Sequence, residues 1–179
     1  MTKKYVINWG IWIGVWTGIY VLLYLLSPLA DYGVIWCTFI ALPIYFNGGA
    51  QPKDYPSYIT SNVCGVCWGL IFIFFIELFQ KGGMANTPAT ALGCLIFTAL
   101  CCLHMMVPDR GLLNKVPAMF GGISAMFSQW GTNILPVTIT LCLGVTLALV
   151  CGLGTRVLNE DGSWNFRSGR STSIDKDIG

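Results

Sequence analysis

The sequence predicts an all-α integral membrane protein of six transmembrane helices, two of them short or interrupted. Three observations carry that expectation. Hydrophobic residues make up 55% of the chain and charged residues only 10%, where a soluble domain carries roughly 25% charged residues. Mean hydropathy is +0.67. The apolar residues fall into six runs separated by short polar connections. With a net charge of +2, nothing points to a nucleic-acid partner.

The first run, Tyr5–Leu26, follows Met1-Thr2-Lys3-Lys4. That basic start imitates a signal peptide, but the run exceeds the roughly 7–15 residues of a signal core and no Ala-x-Ala site follows. It reads as the first membrane helix. The second run, Gly33–Phe46, falls short of the roughly 20 residues a span needs; beginning it at Leu29 lengthens it. The third is Ser57–Phe79 and the fourth Asn86–Met106. The fifth, Leu112–Ser128, is again short. The sixth is Asn133–Thr155. This gives a six-helix domain over residues 1–156 and a polar cytoplasmic tail over 157–179. The tail, with Asn159-Glu160-Asp161-Gly162 near its start, is too polar to bury a core, so much of it is expected to be mobile.

Six spans put both termini on one side. That side holds Lys3, Lys4, Lys53, Arg110, Lys115, Arg156, Arg167, Arg170 and Lys176, and Lys81 alone lies opposite. Lysine and arginine collect on the cytoplasmic face, so both termini are predicted to be cytoplasmic. Tyr5, Tyr55 and Tyr58 then fall at the inner interface, and Tyr32 and Trp130 at the outer, where aromatic belts form. Asp109-Arg110 reads as a cytoplasmic loop pair.

Small residues recur at helical spacing in three places: Gly10, Gly14 and Gly18; Ser57, Ser61, Gly65 and Gly69; Thr140, Gly144, Ala148 and Gly152. Such stripes let helix backbones approach closely in lipid. They predict tight packing within or between protomers, and three of them suggest a homo-oligomer, trimer to hexamer. The eight cysteines, Cys37, Cys64, Cys67, Cys94, Cys101, Cys102, Cys142 and Cys151, all lie in or beside apolar runs. That placement speaks for packing residues and against a disulfide framework. Cys64-Gly-Val-Cys67 lacks a second pair to complete a metal site. No cofactor and no metal are expected.

The two short runs carry the site candidates. Pro43 and Pro117 are read as helix-break positions, each followed by a Phe (Phe46, Phe120) and then by glycines (Gly48-Gly49, Gly121-Gly122). Broken backbone is tolerated in a membrane only inside protein or along a wet cavity, and short, interrupted segments mark transport sites. The expected lining is Phe46, Asn47, Gly48, Asn62, Phe120, Gly121 and Ser124, with Phe46 and Phe120 as an apolar constriction. The alternative is two ordinary proline kinks. The echo also suggests a 3+3 inverted repeat, although strict inversion would place the two prolines at opposite depths. Glu77 and His104 are candidates for gating or pH sensing. Against those roles, Glu77 has Lys81 one turn away for an interfacial ion pair, and His104 is the only histidine.

Enzymes need paired titratable groups in a cavity, and the runs hold almost none. The same scarcity disfavours ion-coupled transport. The expected function is a channel or facilitator for a small uncharged solute, urea-like, ammonia-like or a short amide. The rivals are a non-transporting membrane scaffold or assembly protein, and a secondary transporter of a small organic acid.

Two motifs, Ser61-Asn-Val-Cys-Gly-Val-Cys-Trp-Gly69 and Val116-Pro-Ala-Met-Phe-Gly-Gly-Ile-Ser-Ala-Met-Phe127, carry a resemblance. Over about residues 5–155 the chain resembles a bacterial inner-membrane family catalogued only as a domain of unknown function (number ten-ninety-seven). The resemblance implies a multi-pass protein of the bacterial inner membrane and no established activity. The six-span size is also similar to that of the urea and formate/nitrite channels, by analogy of fold alone.

Overall fold

The computed structural model describes residues 2–106 and 111–165. Helix α1 (Lys3–Leu26) starts at Thr2, whose hydroxyl accepts the Tyr5 amide at 3.1 Å. The Ser27-Pro28 turn ends it. A single helical turn, α2 (Leu29–Tyr32), and a 3-10 turn, Ile35–Cys37, lead into α3 (Thr38–Asn47). Gly48 closes α3, and Gly49 takes a left-handed φ of 85°, open to glycine without steric cost. The 3-10 turn Pro52–Asp54 then opens α4 (Tyr55–Lys81), with Pro56 in its first turn, where a missing N–H costs nothing. The remaining helices are α5 (Asn86–Leu103), α6 (Val116–Ser128), α7 (Ile134–Gly152) and α8 (Gly154–Val157).

The architecture is all-α, as expected, but the apolar runs are unequal. Among the described residues, four helical stretches are long and apolar enough to cross a membrane: Lys3–Leu26, Pro52–Lys81, Asn86–Leu103 and Ile134–Val157. Two shorter apolar helices remain, Ile35–Asn47 and Val116–Ser128. The reason is length. The ten residues of α3 rise about 15 Å and the 13 of α6 about 20 Å, against a hydrocarbon core of roughly 30 Å.

These short helices sit in the middle of the bundle, α6 against α4 and α3 against α7. The two small-residue stripes on α4 and α7 make those seams. A Cβ on Gly65 would collide with the Met119 backbone of α6, and one on Gly122 with the Asn62 carbonyl of α4. In the same way, a Cβ on Gly144 would lie 2.6 Å from the Thr38 carbonyl oxygen and 3.1 Å from the Ala41 Cβ of α3. Backbone therefore meets backbone at both crossings, as small residues permit. One apolar core, with Tyr45, Val137, Leu141 and Val145, fills the α3–α7 side. A second, with Phe72, Phe97, Met119 and Ile123, fills the space among α4, α5 and α6.

Helix α1 is peripheral and buries only Tyr24. Among the described residues nothing lies within 4 Å of a Cβ built on Gly10, Gly14 or Gly18, so the third stripe packs on none of them. Its exposed neighbours Ile7, Ile11, Leu22 and Leu26 leave an apolar surface along α1. After α8 the chain turns back: Leu158 and Trp164 form an antiparallel bridge. Asn8 Nδ2 donates to the Gly162 carbonyl at 2.8 Å, and Trp164 lies 6.3 Å from Trp12. The first part of the polar tail is thus docked on α1. Asp109-Arg110 and residues 166–179 lie outside the described residues.

Candidate functional site

Where the C-terminal end of α3 meets the starts of α4 and α6, a cavity of about 270 Å³ is lined by Pro43, Ile44, Asn47, Gly48, Tyr58 and Pro117. Both prolines of the short runs line it, but neither breaks a helix. Pro43 lies inside α3, which continues to Asn47. Pro117 is in the first turn of α6, where its fixed φ favours initiation. Gly121 and Gly122 are interior to a continuous α6. The expected helix-break role is therefore corrected: α3 stops at Gly48, five residues beyond the proline. What Pro43 does remove is the amide that would bond the Phe39 carbonyl.

Tyr58 forms the inner wall. It is buried, its hydroxyl covers the space beside Gly48, and its ring lies 4.7 Å from that of Tyr45. At the rim, the Lys115 ammonium sits 5.2 Å from the Tyr58 ring centroid and 3.4 Å from Asp54 Oδ1. Among the described residues this is the one ion pair.

One turn deeper on α4 is Asn62, with no exposed surface. Its Nδ2 donates to the Tyr58 carbonyl at 2.9 Å, and its Oδ1 has no partner among the described residues. A Cβ built on Gly121 would lie 3.4 Å from that oxygen, 2.9 Å from Ile44 Cδ1 and 3.3 Å from Ile40 Cγ2. Ile44 belongs both to the cavity wall and to this cluster. The cavity, Tyr58, Ile44, Asn62 and Gly121 thus form one series leading inward. An unsatisfied buried acceptor costs roughly 1–3 kcal/mol, and Asn62 is held in that state by packing.

Of the sequence candidates, Pro43, Asn47, Gly48, Asn62, Gly121 and Pro117 come together here. The others do not. Phe46 turns toward α1, its ring edge-on to Trp9 at 6.2 Å. Phe120 packs on the core among α4, α5 and α6. The two rings belong to different clusters, so the expected constriction does not form. Ser124 is exposed. His104 Nε2 lies 3.1 Å from the Leu113 carbonyl, tying the end of α5 to the segment before α6. Glu77 is half-buried, and its expected ion pair with Lys81 is not made. Tyr58, Ile44, Asp54 and Lys115 were not expected at the site. The position of Tyr58, one helical turn before Asn62, was the available signal.

Two further polar features lie elsewhere. Tyr20 bonds Thr38 at 2.5 Å and Tyr24 bonds Thr140 at 2.8 Å, tying α1 to α3 and α7. A second cavity, about 220 Å³, lies between the start of α1, residues 49–52 and the end of α7. Among the described residues the cysteines are unpaired, and no His, Cys, Asp or Glu group could hold a metal ion.

The model of a family described as "Protein of unknown function (DUF1097)" matches residues 7–156. No curated protein and no solved structure matches the chain.

Proposed function

The chain belongs to this family of unknown function, and from that premise we propose that it is a membrane facilitator for a small uncharged solute bearing N–H or O–H donors. The observation that carries the reading is the Asn62 Oδ1: fully buried, unpartnered, and one turn beyond a cavity mouth. A buried acceptor without a donor is suited to a guest that brings one. Urea-like, ammonia-like and short amide solutes do. The series from Tyr58 to Gly121 holds no charge, so an ion would lose its hydration there without compensation. A neutral donor loses far less. Passage would then be passive. In liposomes, urea, ammonia and short amides should equilibrate faster with the protein than without it, with no proton gradient. Gly121→Leu, which would press on Ile44 and the Asn62 amide, should block flux while leaving insertion intact. Flux that collapses without an imposed proton gradient would refute this mechanism and favour coupled transport.

The wider arrangement belongs to the same proposal. The two short helices complete six membrane crossings, with both termini in the cytoplasm of a bacterial cell. The proposal extends to a 3+3 repeat, although Pro43 and Pro117 line one cavity and so depart from strict inversion. In its support, Gly65 on α4 meets α6 much as Gly144 on α7 meets α3. The open stripe Gly10, Gly14 and Gly18 is the protomer contact of a homo-oligomer.

A scaffold without a path is the second reading. It is favoured by the direct backbone contact of Gly65 and Gly122 across the α4–α6 seam, which leaves no room for water there. Flux no greater than in protein-free liposomes would decide for it.

A further inference from the structure

The second cavity is lined by Trp9, Phe46, Gly49, Gln51, Gly152 and Arg156, with Ala50, Pro52, Leu153 and Thr155 completing the wall. Its volume of about 220 Å³ is below the roughly 300–1,000 Å³ of sites that enclose whole ligands, and suits a single small group. The hydrogen bonding is one-sided. Trp9 and Trp12 lie nearly one turn apart on α1. Trp12 Nε1 donates to the Cys151 and Val150 carbonyls at 3.1 and 3.3 Å. Trp9 Nε1 is buried and has no acceptor among the described residues. Nearby polar side chains are already engaged: Gln51 Nε2 donates to the Gly49 carbonyl at 3.1 Å and Thr155 Oγ1 to the Gly152 carbonyl at 2.9 Å. Arg156 is exposed at the rim, and among the described residues no carboxylate lies within ion-pair distance of it. Lys53 stands in the adjoining turn, and Lys3 and Lys4 at the start of α1. Two carboxylates of this end have partners: Asp54 pairs with Lys115 and Asp161 accepts from Ser163.

An unpartnered donor, an exposed guanidinium at the rim and nearby lysines are complementary to one chemistry, a multi-oxygen anion. We propose that this cavity binds a phosphate group, with Arg156 as the charge partner and the Trp9 indole N–H as the orienting donor. Position adds to the argument. The cavity sits at the end of the bundle where α1 begins and α7 finishes, both stretches long and apolar enough to cross a membrane, and basic pockets at the ends of membrane helices take lipid head groups. Trp9 lines the cavity and its buried Nε1 is without an acceptor, so a small shift of the ring would bring that donor to a group seated there. The proposal does not depend on transport and stands if no solute passes.

The test uses the full chain in a phosphate-free maltoside detergent as the reference, then with inorganic phosphate, phosphatidylcholine or phosphatidylglycerol added. The indole ¹⁵N–¹H resonance of Trp9 is identified by its loss in Trp9→Phe. A downfield shift with phosphatidylglycerol but not with inorganic phosphate assigns a lipid source; a shift with both assigns a free phosphate site as well. Lipid retention by native mass spectrometry gives the second readout. Phosphatidylglycerol should be held over phosphatidylcholine, and Arg156→Gln should weaken that preference roughly fivefold, the loss of one interfacial cation. Lys53→Gln, outside the cavity, should change it less. No indole shift with either probe, or equal retention by Arg156→Gln and the parent, overturns the proposal.

Discussion

Asn62→Leu separates a transport role from a packing role at one side chain. Asn62 is fully buried, with one donated hydrogen bond and one unmet acceptor. Leucine has a similar size and no polar atoms. The lost Nδ2 bond is worth about 0.5–1.5 kcal/mol, and the unsatisfied oxygen it removes costs roughly 1–3 kcal/mol. The Tyr58 carbonyl it bonded is also the acceptor for a helix amide one turn on, so no new orphan is created. The net effect is a protein as stable as the parent or more stable by about 1–2 kcal/mol. If the same oxygen receives a solute donor, its loss removes a comparable stabilisation from the passing state, and flux should fall roughly tenfold or more. The assay pairs thermal unfolding in mild detergent with urea and ammonia flux in liposomes. The expected result is unchanged or raised thermal stability with lost flux. Flux at the parent level in a well-folded Asn62→Leu protein would refute the reasoning, as would a loss of more than about 2 kcal/mol, which would mean that the amide is a structural necessity.

Four other outcomes follow from the packing and charge. Gly65→Leu places a side chain on the Met119 backbone and should cost several kcal/mol, read as lost expression or a much lower thermal midpoint. Gly14→Leu and Gly18→Leu meet nothing among the described residues, so the protomer should fold normally while cross-linking and light scattering show weakened assembly; a parent protein that is monomeric in mild detergent would sink the oligomer. Reporter fusions at Asp31 and Lys81 should read external and one at Lys53 cytoplasmic, and an external reading at Lys53 would overturn the topology. Hydrogen bonds from Ser163 hold the exposed Asp161 carboxyl below its ordinary range. A depressed folded pKa gives a contribution present above the unfolded value and lost as pH falls through the folded one. The near-ultraviolet signal of the Trp12–Trp164 pair should therefore decay on acidification, and Ser163→Ala should move that decay to higher pH.

Composition and hydropathy by themselves determined the membrane class and the helical content. A chain this apolar has too few charges for a solvated surface, and in lipid a backbone must satisfy its own hydrogen bonds. Pro43, Asn47, Gly48 and Pro117 stand in the two runs too short to span alone, and the fold brings these four to one cavity. What those residues do there was not legible in the sequence. Proline reads the same in sequence whether it starts a helix, as Pro117 does, or is carried within one, as Pro43 is; neighbouring helices decide how its missing bond is borne. The three glycine stripes look alike along the chain, yet two are closed by backbone and the one on α1 is open. Phe46 and Phe120 share a motif and point into different cores. The unpartnered atoms of Asn62 and Trp9 have no sequence signature at all, since being unsatisfied is a property of what surrounds an atom. Periodicity fixes which residues share a face; only the crossing of one helix on another decides what that face meets.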